Sequence, residues 1–324
     1  MPITTVEQDT EALTLTVVGD FAVSKERLWQ AWADPRQLER FWGPPTWPAT
    51  FIQHDMFPGG RSNYAMTGPD GSRAAGYWVF LEVEAGESFA VRDGFANDDG
   101  TPNDDLPTCH MRLTFHETEG GSQFRCVTTF PSLEALEQLL GMGMREGMTE
   151  ALAQLETVLA DLASFADDLA TGAQLLSDTQ VRVSRVIRGG VPDVWRAHHE
   201  PALLRRWMTG PDGWRMTTCE VASAPGEHYR YEWESDSGEP GFGFTGELLE
   251  SRAPHWAVTT EAMIGQEQTA TRNELTLTPV AGGTLMTLVI TYPSKELRDM
   301  ILGTGMVGGM ETSYQRLERE VLAA

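Results

Sequence analysis

Apolar and polar residues alternate along much of this chain, and they do so in two similar rounds. Leu13, Leu15 and Val17 are separated by threonines, a two-residue period that predicts a strand. Two short helices are expected at residues 25–33 and 36–41, parted where Pro35 disfavours helical geometry at Asp34. Residues 50–130 read as strands and turns, with Gly59-Gly60, Pro69-Asp70-Gly71 and Glu119-Gly120-Gly121 supplying the turns. Ser132 then caps a helix that is expected to run to about residue 159, some 28 residues or about 42 Å long. A second round follows: a strand at 181–187, short helices near 192–199 and 202–207, strands up to Tyr292, and a terminal helix over 295–322.

The rounds share residues as well as pattern. Trp29-Gln30-Ala31-Trp32-Ala33-Asp34-Pro35 returns as Trp195-Arg196-Ala197-His198-His199-Glu200-Pro201. Phe41-Trp42-Gly43-Pro44-Pro45 returns as Trp207-Met208-Thr209-Gly210-Pro211, and Phe130-Pro131-Ser132 as Tyr292-Pro293-Ser294. The spacing of about 165 residues is too long for a solenoid unit and is the length of a whole domain. The chain is therefore expected to hold two copies of one domain, at 1–165 and 180–324, joined by a linker over 166–179. One strand, two short helices, a run of strands and one long terminal helix make an α+β domain. In each, a curved antiparallel sheet must be covered by that helix.

Composition narrows the function. The net charge is −23, and both halves are acidic, which disfavours nucleic acid and anionic lipid surfaces as partners. Three cysteines, Cys109, Cys126 and Cys219, give neither a CxxC pair nor an even count for a disulfide framework. The first residues lack the basic-then-apolar pattern of a signal peptide, and no apolar run is long enough for membrane insertion. These features together predict a cytoplasmic location. No HExxH, GxSxG or phosphate-cradling glycine motif is present, and the histidines and cysteines lack metal-ligand spacing, so neither cofactor nor metal is expected.

Several motifs carry a family resemblance. They are Phe41-Trp42-Gly43-Pro44, Phe57-Pro58-Gly59-Gly60-Arg61, Met66-Thr67-Gly68-Pro69-Asp70-Gly71, Gly94-Phe95-Ala96-Asn97-Asp98-Asp99-Gly100 and a Gly-Met-rich terminal helix. The second half adds Pro225-Gly226-Glu227-His228-Tyr229-Arg230-Tyr231 and Gly305-Met306-Val307-Gly308-Gly309-Met310. Both halves resemble the activator-of-heat-shock-protein-90-ATPase-like branch of the START-related, polyketide-cyclase-like (SRPBCC) superfamily. The resemblance implies the helix-grip fold and a hydrophobic cavity between sheet and helix. Relatives in that superfamily bind lipids or polyketides, cyclise them, or contact chaperones.

Candidate contacts follow from strand and helix periodicity. In the first half they are Trp42, Trp47, Tyr64, Met66, Phe95, Met144 and Met148. In the second they are Trp207, Trp214, Tyr229, Tyr231, Trp233, Met306 and Met310. Plain hydrophobic core is the competing account of all of them. His110, Arg112 and His116 alternate with Met111, Leu113 and Phe115, so they belong on the solvent side of their strand. His54-Asp55, beside a Pro-Gly-Gly turn, could reach a cavity mouth. His198-His199 at a helix end suit its dipole. Comparison of the halves finds no catalytic residue type repeated in register. Gly303, Gly305, Gly308 and Gly309 each cost about 1 kcal/mol in a helix, so close packing or ligand space is expected to offset them.

The first functional reading is therefore a non-catalytic carrier of a small, mostly hydrophobic ligand. A cyclase- or dehydratase-like enzyme is the alternative. The third is a co-chaperone-like module using its outer sheet or the acidic loop of Asp98, Asp99, Asp104 and Asp105.

Overall fold

The computed structural model describes residues 3–97 and 99–323; Asp98 of the acidic loop lies outside them. The chain divides into two compact units, Met1–Ser164 and Phe165–Ala324. Unit 1 runs β1 (Ile3–Asp9), β2 (Thr14–Phe21), α1 (Lys25–Ala33), α2 (Pro35–Leu38), β3 (Ala49–His54), β4 (Arg61–Thr67), β5 (Arg73–Glu84), β6 (Ser88–Ala96), β7 (Cys109–Thr118) and β8 (Gly121–Thr129). Its C-terminal helical run is α3 (Leu133–Gly141), α4 (Met144–Ala153) and α5 (Leu155–Ala160), followed by α6 (Leu162–Asp167). Unit 2 repeats the plan as β9 (Gly172–Leu175), β10 (Gln180–Ile187), α7 (Val191–His199), α8 (Pro201–Trp207), β11 (Trp214–Glu220), β12 (His228–Ser235), β13 (Phe242–Arg252), β14 (Trp256–Met263), β15 (Thr271–Val280) and β16 (Gly283–Thr291). It closes with α9 (Lys295–Gly303), α10 (Met306–Leu317) and a π-helical turn, Glu318–Leu322.

Each unit carries one antiparallel sheet of eight strands. The orders are β1-β2-β8-β7-β6-β5-β4-β3 and, in matching sense, β9-β10-β16-β15-β14-β13-β12-β11. Both units are helix-grip domains of the α+β class. Helix α1 begins where the Ser24 side chain accepts from the Arg27 amide, a satisfied N-cap, and Asp34 caps α2 in the same way. The core of unit 1 is aromatic: Trp29 meets Phe115 at 5.4 Å, and Trp32 meets Phe41 at 5.1 Å and Phe124 at 6.1 Å, all edge-on. The last strand of unit 1 behaves as its alternation predicts, with Phe124, Cys126, Thr128 and Phe130 all buried.

Three expectations need correction. The terminal helix is not continuous in either unit. Gly143 (φ +87°) and Gly305 (φ +83°) sit in the left-handed region and break it, a conformation glycine adopts without a Cβ clash. Gly305 is therefore a helix boundary, and a methyl on Gly303, Gly308 or Gly309 would meet no atom within 4 Å. Close packing against the sheet is thus not what these glycines serve. Second, the segment read as a linker contains β9, whose Leu175 and Gly172 pair with Val181 and Ser184. Third, the residues before Leu13 form β1, paired from Asp9↔Thr14 back to Ile3↔Gly19. Both β1 and β9 are mostly exposed edge strands, which is why their apolar signal is faint.

Candidate functional site

Unit 1 has a half-open cavity of about 240 Å³ between strands β4–β7 and the helical run α3–α4. Its walls are apolar: Trp42, Tyr64, Met66 and Phe95 from the sheet side, Met144 and Met148 from α4. Six of the seven sequence candidates in this half therefore meet at one site. Trp47 does not line it. Its ring packs over Gly68, where a Cβ would come within 2.8 Å of the indole. The break at Gly143 falls on the cavity wall beside Met142 and Met144.

The cavity exists because the facing strand is cut down to small residues. Across the β4–β5 ladder, Tyr64 stands opposite Gly76 and Met66 opposite Ala74. A Cβ on Gly76 would lie 2.5 Å from the Tyr64 ring, so the tyrosine lies flat over bare backbone. At the matching positions of unit 2, Tyr231 stands opposite Phe244 and Trp233 opposite Phe242. Trp233 stacks on Phe242 at 5.0 Å and meets Phe244 edge-on at 6.0 Å. Where unit 1 has only Ala74 and the bare backbone of Gly76, unit 2 carries two phenyl rings packed on an indole.

The other unit 2 candidates are likewise occupied in packing. Trp207 is buried, donates from Nε1 to the Ala197 carbonyl and stacks on Tyr314 at 5.6 Å. Trp214 packs on Phe242 at 5.0 Å. Met306 and Met310 sit half-buried against Ile290, Val181 and Tyr292.

One polar group in the cavity was not picked out from the sequence: Asp93 on β6. The Trp78 indole donates to its Oδ1 (2.9 Å), and the Cys109 thiol donates to its Oδ2 (3.5 Å). Burial raises its pKa to about 6, against the pull of those two donors. The same burial, with the Asp93 charge next to it, pushes up the Cys109 thiol, so that sulfur stays protonated. Tyr64 is raised by burial and by Asp93 as well.

Asp93 has a counterpart, contrary to the expectation that no catalytic type repeats. On β7, Leu113 faces Cys126 of β8 and Phe89 of β6. On β15, Leu275 faces Leu288 of β16 and Ala257 of β14. Four residues beyond Phe89 comes Asp93, opposite Cys109; four beyond Ala257 comes Glu261, opposite Thr271. Burial raises the Glu261 pKa too, opposed by hydrogen bonds from Tyr229 and Asn273.

The two donors are a size exchange across one ladder position. In unit 1 small Ser62 faces large Trp78; in unit 2 large Tyr229 faces Gly246. Trp78 Nε1 reaches Asp93, whereas the single Tyr229 hydroxyl proton is shared between the Thr260 carbonyl (2.7 Å) and Glu261 (3.3 Å). Aspartate and glutamate differ by one methylene and their neighbours differ in size, so matching by residue type passed over the pair.

The histidines divide. His110, Arg112 and His116 are exposed as alternation requires, with Arg112 paired to Glu82 at 2.6 Å. His54 does not reach the cavity mouth. It is buried against Phe51 and Phe80, with Nδ1 2.8 Å from Ser62 Oγ and Nε2 3.0 Å from the Trp32 carbonyl. His198 is held at a pKa of about 4 by burial, despite donating to the Val194 carbonyl. It is neutral at ordinary pH, so the dipole role proposed for it fails.

Among the described residues, no helix is long and apolar enough to cross a membrane. No curated protein matches the chain. Among solved structures, it is similar to a protein from Mycobacterium smegmatis at 48% identity, covering 49% of this chain and 98% of that one, with a TM-score of 0.47. A protein from Arthrobacter aurescens is similar at 43% identity, covering 49% and 92%, with a TM-score of 0.47. The family described as Activator of Hsp90 ATPase homolog 1-like protein matches residues 22–160 and again 191–321. With most of each half matched, the chain belongs to the Activator of Hsp90 ATPase homolog 1-like family and carries its domain twice.

Proposed function

We propose that unit 1 binds a small, mostly hydrophobic molecule in the cavity between its sheet and helices α3–α4. The observation that carries this reading is the pairing of small with large residues. Ala74 leaves open, beside Met66, space that Phe242 occupies in unit 2, and bare Gly76 lets the Tyr64 ring lie flat as a cavity wall where unit 2 has Phe244. An apolar cavity with a single convergent polar group is the ordinary form of a ligand site. An engineered apolar cavity of about 150 Å³ holds benzene, so this one has room for roughly ten heavy atoms.

The test is native mass spectrometry of the freshly purified chain beside Ala74→Phe. A bound small molecule on the wild type that Ala74→Phe loses supports the reading. If an apolar fluorescent probe binds equally to both proteins, the cavity is not the site.

A second reading rests on Asp93. A carboxyl that titrates near neutrality inside a cavity is suited to move a proton to or from a bound substrate, as a cyclase- or dehydratase-like enzyme requires. The co-chaperone alternative draws on the family description alone.

A further inference from the structure

We propose that the unit 1 cavity selects a small hydrophobic amine, its ammonium group paired with the Asp93 carboxylate and its apolar body held by Trp42, Tyr64 and Phe95. This rests on the ligand-binding reading above and specifies the ligand's chemistry.

The cavity is chemically one-sided. Among the described residues that line it there is no lysine, arginine or histidine, and Asp93 is the one acid. The other titratable groups near Asp93 are Tyr64 on β4, Cys109 on β7 and Cys126 on β8, all raised by burial and therefore uncharged. An ionised carboxylate there has two hydrogen-bond donors and no counter-charge within the wall. The wall itself cannot neutralise it, but a ligand can.

The type of charge is set by what surrounds it. Both Asp93 oxygens accept from the protein, through Trp78 on one and Cys109 on the other, so a ligand must donate rather than accept. An anionic ligand would meet a like charge in a desolvated site. A bare metal ion would find one carboxylate among carbon and sulfur walls, where hard cations need six or more oxygens. An ammonium gains the carboxylate and the faces of aromatic rings together. Trp42 stands edge-on to Tyr64 at 6.1 Å, and Phe95 also lines the cavity. The chain's net charge of −23 further favours the approach of cations.

The pH dependence follows. The amine needs ionised Asp93, whose pKa lies at about 6. Affinity should rise with pH through that range and level off, until the amine itself loses its proton. A neutral ligand of the same shape should lack this rise.

The experiment is calorimetric titration of the full chain with 2-phenylethylamine, 2-phenylethanol and phenylacetate at pH 5 and pH 8, repeated with Asp93→Asn. The expected result is an amine preference over the alcohol of about tenfold or more at pH 8. That preference should shrink severalfold at pH 5 and be lost in Asp93→Asn, with phenylacetate weakest. The pH comparison needs only the wild type, so it decides even if the variant folds poorly. Equal binding of amine and alcohol, or a preference that survives Asp93→Asn, overturns the proposal while leaving the cavity a ligand site. Binding of none of the three overturns both.

Discussion

Asp93 and Glu261 occupy the same position in two sheets that share few side chains around it. Each lies four residues beyond a residue that faces the central leucine of the next strand, Leu113 or Leu275. Each is half-buried and accepts a hydrogen bond from a large ring, Trp78 in one unit and Tyr229 in the other. Duplication kept the acid and its ring donor while the donor moved to the neighbouring strand. The unit 1 copy also faces a cavity, whose counterpart space in unit 2 is filled by Trp233, Phe242 and Phe244.

Asp93 should make unit 1 less stable as pH rises. Its folded pKa of about 6 lies above the ordinary 3.8. Between those values the folded state binds more protons than the unfolded one, so stability falls with increasing pH and is flat above about pH 7. A two-unit shift corresponds to up to about 3 kcal/mol. Asp93→Asn keeps an acceptor for the Trp78 indole and removes the charge. Urea denaturation from pH 4.5 to 7.5 should show the variant gaining on the wild type as pH rises. A constant difference would mean that Asp93 titrates normally.

The Tyr229 hydroxyl should matter to unit 2. Its one proton is shared between the Thr260 carbonyl at 2.7 Å and Glu261 at 3.3 Å. Tyr229→Phe leaves both acceptors short of a donor and should cost about 1–3 kcal/mol. Glu261→Gln, which keeps an acceptor, should cost less. Thermal melts of the two variants decide the order; if Glu261→Gln is the more damaging, the Glu261 charge itself stabilises unit 2.

The glycines of the terminal helices should split by backbone conformation. Gly143→Ala and Gly305→Ala place a Cβ at φ near +85° and should destabilise by about 1–2 kcal/mol. Gly308→Ala and Gly309→Ala lie inside α10 with nothing near a new methyl, and each should stabilise by up to about 1 kcal/mol. Neither should affect binding of an apolar probe to unit 1. In domains of this size the melting shifts would be roughly 2–4 °C per kcal/mol.

Fragment boundaries should follow β9. A fragment beginning at residue 165 keeps β9 and Thr171, whose amide and hydroxyl both donate to Glu311. A fragment beginning at 180 exposes the edge of β10 and drops those bonds. The first should melt cooperatively and the second should be less stable or self-associate. Equal stability would show that β9 is dispensable.

His110→Ala and His116→Ala should leave probe binding within about twofold, since both side chains are on the solvent face of β7. Ala74→Phe should abolish it with the fold intact, because the unit 2 ladder already carries phenylalanine at that position. Loss of binding in a histidine variant would point to a different site.

The sequence by itself determined whatever depends on short-range periodicity. Leu15 and Val17 on β2 and Phe124 and Cys126 on β8 alternate because one face of the sheet is wet, and the capping serines mark helix starts. The repeated landmarks settled the two-domain plan for the same reason: identical local rules were written twice. Edge strands β1 and β9 escaped, because their side chains are mostly exposed and leave little hydrophobic signal. So did the helix breaks, since a single glycine reads alike inside a helix and at φ +83°.

Only the tertiary structure decided where the chemistry lies. Six of the aromatic and methionine candidates gather around one cavity, yet their sequence pattern is that of an ordinary core. Whether they enclose space depends on Ala74 and Gly76, small residues on a different strand, brought opposite Met66 and Tyr64 by the ladder register. Asp93 gains its character in the same way, from Trp78 and Cys109, each about 15 residues away in sequence and adjacent only across strands. A carboxyl's pKa is a property of its surroundings, and those surroundings exist only once the sheet is formed.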